Sequence, residues 1–166
     1  MNLSENFTLK EFTKSSTATR LGIDNTPTIG ALENLSALCY NVLQPLRETV
    51  GRIKITSGYR SPELNAAIRG SAKSQHCKGE AADIEAYDYS NLELFNNISD
   101  NYDFDQLILE FYEPSDPHSG WVHVSYKATG NRNMKLAAVK ENGTTVYKVI
   151  NSPRDLIALF EEEDDE

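Results

Sequence analysis

The sequence is short of the residues that staple a chain or carry it through a bilayer. Two cysteines in 166 residues, Cys39 and Cys77, cannot build a disulfide framework, and in a reducing compartment such a pair defaults to free thiols. No run approaches the ~20 consecutive apolar residues that a membrane span needs. The opening Met1-Asn2-Leu3-Ser4-Glu5-Asn6 lacks the basic end and apolar stretch of a signal peptide. Synthesis in the cytoplasm without export by the usual route is therefore expected. Positive charge is scarce as well: 16 basic against 25 acidic residues give a net charge of −9. Six of the acids, Glu161 to Glu166, are the last six residues, so the remainder carries −9 + 6 = −3. That balance argues against a nucleic-acid partner held by phosphate neutralisation. The acidic run reads as a solvated tail, 161–166, after one domain over 1–160. A domain of this size buries roughly 70% of the surface its unfolded chain exposes, enough to hold a site without staples. A monomer is the expected state.

What is present is a run of helical signals followed by strands. Thr8 and Glu11 have the spacing of a capping box over 7–14. Residues 28–50 carry Leu32, Leu35, Leu38, Cys39, Val42, Leu43, Leu46 and Val50 at three- and four-residue steps, one apolar helix face. Pro45 should kink or split that helix, and Cys39 lies on its core side. Residues 52–57 alternate as a strand, Pro62 opens a short helix near 61–68, and 82–86 form a strand. Ser90 and Glu93 cap a helix to about residue 98. Residues 104–112 and 121–126 are strand-like, 134–140 and 144–150 flank a type I′ turn at Asn142-Gly143, and Pro153 starts a last helix. Helices first and strands after predict an α+β fold, with a central, mostly antiparallel sheet.

The chain has three histidines: His76, His118 and His123. On one helix His76 and Asp83 would lie ~10 Å apart, too far to share an ion whose ligand atoms lie ~2.0–2.2 Å from it. A loop folded back at Gly79 into a strand carrying Asp83 brings them together, and the small Ala81 and Ala82 permit close backbone approach. In Trp121-Val122-His123-Val124-Ser125, period 2 sends the valines to one face and His123 to the other, toward a cleft or solvent. Two imidazoles and one carboxylate leave a fourth tetrahedral position for water, as a hydrolytic zinc site requires. Cys77 is a competing soft ligand, and the same ligand types also compose the facial triad of iron(II) oxygenases. That triad typically uses a short His-x-Asp spacing, which is lacking here. Gln106 and Glu110, four apart on one strand, share a face that either lines the cleft or is simply exposed.

The order of three motifs resembles the zinc D-Ala-D-Ala carboxypeptidase family. They are Ser57-Gly58-Tyr59-Arg60-Ser61-Pro62 with Asn65, Ser74-Gln75-His76 with Gly79, Ala81 and Asp83, and Trp121-Val122-His123-Val124-Ser125. The family includes bacterial carboxypeptidases and phage endolysins, and its core is shared with vancomycin-resistance D,D-dipeptidases and the hedgehog signalling domain. The resemblance runs from about Phe7 to Ser125. It implies one zinc ion on His76, Asp83 and His123, and a peptidoglycan peptide as substrate. It assigns Arg60 to substrate or transition-state binding, in keeping with a guanidinium fork facing a carboxylate or oxyanion. Tyr59, Ser74 and Gln106 are further candidates for substrate contact.

The resemblance leaves the general base open. Endopeptidase and dipeptidase branches place an acid three residues before the last ligand, where this chain has Gly120. The carboxypeptidase branch has a His five residues before it, here His118, and a neutral imidazole can move a proton from water to the leaving amine. Asp116 is the reserve base. The missing acid at 120 leans toward exo cleavage at D-Ala-D-Ala; the phage-like single domain without an export signal leans toward a lytic endolysin of either specificity, acting on a cell wall. No wall-binding module is visible, and a net negative surface should not be drawn to anionic wall polymers. The alternative is a non-catalytic wall-binding or virion structural module that keeps the fold and the zinc.

Overall fold

The computed structural model describes residues 1–161. Its first layer is helical: α1 (Leu9–Thr13), α2 (Ser16–Leu21), α3 (Ile29–Leu38) and α4 (Gln44–Val50). The Glu11 carboxylate accepts the Thr8 backbone N–H at 2.7 Å, the capping interaction read from the spacing. Between α3 and α4 the helix does not split. Residues Cys39–Leu43 widen into a π-helical turn. Pro45 lacks an N–H and would collide with the carbonyl of Asn41 in a regular helix; a widened turn just ahead of it accommodates the ring. Cys39 is fully buried there, and burial pushes its thiol up to about 12, so it is inert.

The sheet holds β1 (Ile53–Ser57), β2 (Ala81–Ala86), β3 (Gln106–Glu110), β4 (Trp121–Ser125), β5 (Met134–Glu141) and β6 (Thr144–Val149) in the order β1-β2-β4-β3-β5-β6. Only the β3/β5 pair is parallel. Short α5 (Pro62–Ala67) follows β1, α6 (Asn91–Asn101) follows β2 and α7 (Pro153–Glu161) closes the described chain. The α+β expectation holds. The β5–β6 hairpin turns at Asn142 and Gly143 with φ of 52° and 77°, both positive as a type I′ turn requires. Of the acidic run, Glu161 ends α7 and the rest lies outside the described residues.

Period 2 gives the sheet two unlike faces. Ile84, Leu107, Leu109, Val122 and Val124 are at most 1% exposed and join Leu35, Leu38, Val42, Leu43, Leu46, Leu94, Phe95 and Ile98 in the main core. Each such aliphatic contributes roughly 1.5–3 kcal/mol by leaving water. The other face carries Asp83, His123, Gln106 and Glu110, with a small cluster of Ile108, Leu136 and Ala138.

The strand expected over 104–112 is trimmed at both ends. Phe111 leaves it at φ 56°. At the other end Asp105, fully buried, spends its carboxylate on tertiary ties: Arg132 Nη2 at 2.7 Å and Nε at 3.0 Å, and Gln75 Nε2 at 2.8 Å. Gln75 opens the 3₁₀ turn that carries His76, so this buried carboxylate joins the sheet to the site. The Arg132 hydrogen bonds hold Asp105 down at about 2 against burial, from the usual 3.8. A depressed carboxyl stabilises the fold above its unfolded value and loses that contribution as pH falls through the folded one. Asp105→Asn should therefore cost about 2 kcal/mol at pH 7. Chemical denaturation of both proteins from pH 7 to pH 2 should show this gap closing below about pH 4.

Candidate metal centre

The centre is built from two adjacent strands and one tight turn. In the β2/β4 register Asp83 stands directly opposite His123, and the valines flanking His123 lock its strand by their burial in the core. His76 arrives on the 3₁₀ turn Gln75–Lys78, capped by Gly79 at φ 72°. A Cβ on Gly79 would run into the Ala31 carbonyl oxygen of α3, so both the positive φ and the close approach require glycine. Ala81 and Ala82 are fully buried, as the reading of close backbone approach anticipated.

His76 Nε2 lies 3.4 Å, and His123 Nδ1 3.0 Å, from Asp83 Oδ1. One ligand atom from each of the three residues lies within 4.8 Å of the others. Tetrahedral ligands ~2.1 Å from an ion stand about 3.4 Å apart, so this donor set fits one zinc-sized cation. His76 Nδ1 is 2.7 Å from the Gly58 carbonyl. A carbonyl only accepts, so Nδ1 carries a hydrogen; when Nε2 gives up its own proton to a bound cation, its lone pair faces the group, the usual outer support of a metal-binding imidazole. Burial alone would raise the Asp83 carboxyl, but the hydrogen bonds and charge of His123 and His76 outweigh it and hold Asp83 well below the usual carboxylate range. The carboxylate is thus ionised, as a ligand must be. Among the described residues this is the one group of that kind, and the Cys77 thiol is not part of it.

A cavity of about 360 Å³ opens on this group, lined also by Arg60, Ser74, Gln106, Glu110, Trp121 and Tyr147. Arg60 Nη2 donates to Ser74 Oγ at 3.1 Å, while its buried Nε has no partner. The loop bearing Arg60 is fixed by Asn25, whose side chain binds the Tyr59 carbonyl at 3.0 Å and the Ser61 N–H at 2.7 Å. Asn65, a member of the same motif, is buried and donates to the Ser71 carbonyl at 2.8 Å.

The profile of the Peptidase M15 family matches residues 5–125. The chain belongs to this family. It is the family of zinc D-Ala-D-Ala carboxypeptidase type, so the chain is a metallopeptidase by descent, and the His76–Asp83–His123 group is a zinc-compatible donor set. No curated protein matches the chain.

Three candidates from the sequence, Tyr59, His118 and Asp116, lie elsewhere. Tyr59 is 4% exposed in the main core and borders a different cavity, along β1. His118 is exposed in the loop between β3 and β4, its N–H 3.2 Å from Asp116 Oδ1, and neither residue lines the cavity of this M15 centre. The group that sequence reasoning left undecided is Glu110. At Gly120, where other branches carry an acid, φ is 63° and a Cβ would strike the Glu110 carbonyl oxygen. The strand next door brings a carboxyl to the same cavity: Glu110 pairs with Trp121, two residues before His123. Burial, then the charge of Asp83, push its carboxyl up to about 6, partly offset by His123, Trp121 and Arg60. Its i, i+4 relation to Gln106 and its place at the end of β3 were the available signals. Gly79→Ala should cost at least ~1–2 kcal/mol of stability from the left-handed backbone alone. It should also weaken zinc binding more than tenfold in a competitive chelator titration, because the His76 turn must shift.

Proposed function

We propose that this M15 chain hydrolyses a peptide bond in peptidoglycan stem peptides, at the terminal D-Ala-D-Ala or within the stem, with the cell wall as its place of action. The observation that carries the reading is the convergence of His76, Asp83 and His123 with Arg60 and Glu110 on one cavity. Zinc bound to the three donors would acidify a water and polarise the scissile carbonyl.

The chain's own residues then divide the remaining work. The Arg60 guanidinium has spare donors, its Nε being buried without a partner, and suits the terminal carboxylate of a substrate or the negative charge that builds on the carbonyl oxygen. The Ser74 hydroxyl accepts from Nη2 of that guanidinium and helps to hold it. Glu110 is the proton carrier in this reading: it accepts a proton from the attacking water and returns it to the leaving amine. A carboxyl raised toward 6 is better matched to that exchange near neutral pH than an ordinary glutamate. His118, the base suggested by the carboxypeptidase branch, has no such part. Gln106 and Tyr147 border the cavity and are available to hydrogen-bond substrate amides.

Mass spectrometry of muropeptides from purified wall, digested with and without a chelator, tests this and names the bond. Loss of D-Ala or a new free amine only without chelator is expected; zinc bound with no product would favour the non-catalytic module. Glu110→Gln should lower the rate roughly 10²–10⁴-fold with zinc content intact. Its thermal midpoint should not fall, since it removes a charge that burial disfavours. His118→Ala should leave the rate unchanged. Because the base must be ionised, the wild-type rate should rise with pH along an acid limb at or below about 6, a bound cation lowering that value further. The limb should vanish in Glu110→Gln.

A further inference from the structure

A second cavity, about 720 Å³ and so roomier than the metal cavity, is a groove along β1, and it is basic. Lys14, Arg47, Arg52, Lys54 and Arg60 line it against a single acid, Glu11. That is +5 − 1 = +4 in a chain whose net charge is −9. The cations come from four places: the C-cap of α1 (Lys14), α4 (Arg47), β1 with the residue before it (Lys54 and Arg52) and the loop after β1 (Arg60). Charges on an edge strand alone would be explained as protection against unwanted pairing, but convergence from other elements is not needed for that.

The groove follows a free sheet edge. β1 is the outermost strand, and in its register with β2 the Tyr87 N–H binds the Arg52 carbonyl. Alternation then turns Lys54 toward β2 and turns the N–H and C=O of Ile53 and Ile55 outward, into the groove. Among the described residues no strand pairs with β1 on that side. Arg60 borders both this groove and the metal cavity, so one side chain adjoins the two spaces.

We infer that the groove binds an extended peptide with free carboxylates, added as a strand to the outer edge of β1, as the arm along which substrate reaches the metal cavity. Main-chain hydrogen bonds to Ile53 and Ile55 set its register, and the cations select its acidic side groups. A polyanion without an amide backbone would use the cations and leave that ladder idle. The inference rests on the peptidase reading and gives its substrate class: acidic, extended and longer than a dipeptide.

The test uses the zinc-loaded intact protein and two synthetic stem-type peptides, one with free side carboxylates and one with them amidated. In Arg52→Gln/Lys54→Gln, KM for the acidic peptide should rise roughly fivefold with kcat unchanged, and KM for the amidated peptide should barely move. In zinc-loaded Glu110→Gln, which turns over slowly, the acidic peptide should slow amide hydrogen exchange at Ile53 and Ile55. An unchanged KM in the double variant, or unchanged exchange at both amides, overturns the inference. So does binding of a short polyphosphate that depends on Arg52 and Lys54 while the peptide leaves the amides unprotected. Protection of both amides in a wild-type protein that cleaves no peptide would uphold the groove and overturn the peptidase reading.

Discussion

The structure depends on one register. With β2 and β4 paired so that Asp83 faces His123, the carboxylate oxygen and the imidazole nitrogen sit 3.0 Å apart on one face of the sheet. A slip of one residue would send His123 into the hydrocarbon core and a valine to the site, because side chains alternate with period 2. The core opposes that slip: Val122 and Val124 are fully buried beneath the helices, and an odd shift would bring both out of the core. The energy of the apolar face thus fixes the geometry of the polar one. His76 needs separate support, and receives it from Gly79, from the Gly58 carbonyl and, through Gln75, from the buried Asp105.

Much of this was legible in the residues. Alternation in 121–125 placed His123 opposite the valines, and the distance argument required a fold-back at Gly79, which the positive φ there satisfies. The capping pairs Thr8/Glu11 and Ser90/Glu93 and the Asn142-Gly143 turn are local signals, and they carried through to the structure. Other features are invisible locally. Pro45 signalled a disturbance, but whether a helix breaks or widens depends on the core that Val42, Leu43 and Leu46 fill on either side. Asp105 read as one residue of a strand, and its tie to Arg132 spans 27 positions. Glu110 and His118 were separable only once the tertiary fold showed which of them borders the cavity.

Net charge misled in one respect. A chain at −9 suggests a surface that repels anions, yet its basic residues are unevenly spread, and five of them gather along β1. Fields near a protein surface are local at physiological ionic strength, where screening acts over ~8 Å. A negative chain can therefore hold a positive groove, and the sum of charges says little about what that groove attracts.

The central claim is that two imidazole nitrogens and one aspartate oxygen share a single zinc. X-ray absorption at the zinc edge of the loaded protein tests it most directly. The account predicts one zinc per chain with two nitrogen ligands of imidazole type and the remaining light-atom ligands at ~2.0–2.2 Å. Sulfur in the first shell at ~2.3 Å, as Cys77 would supply, or a spectrum unaltered by Asp83→Ala, would contradict it.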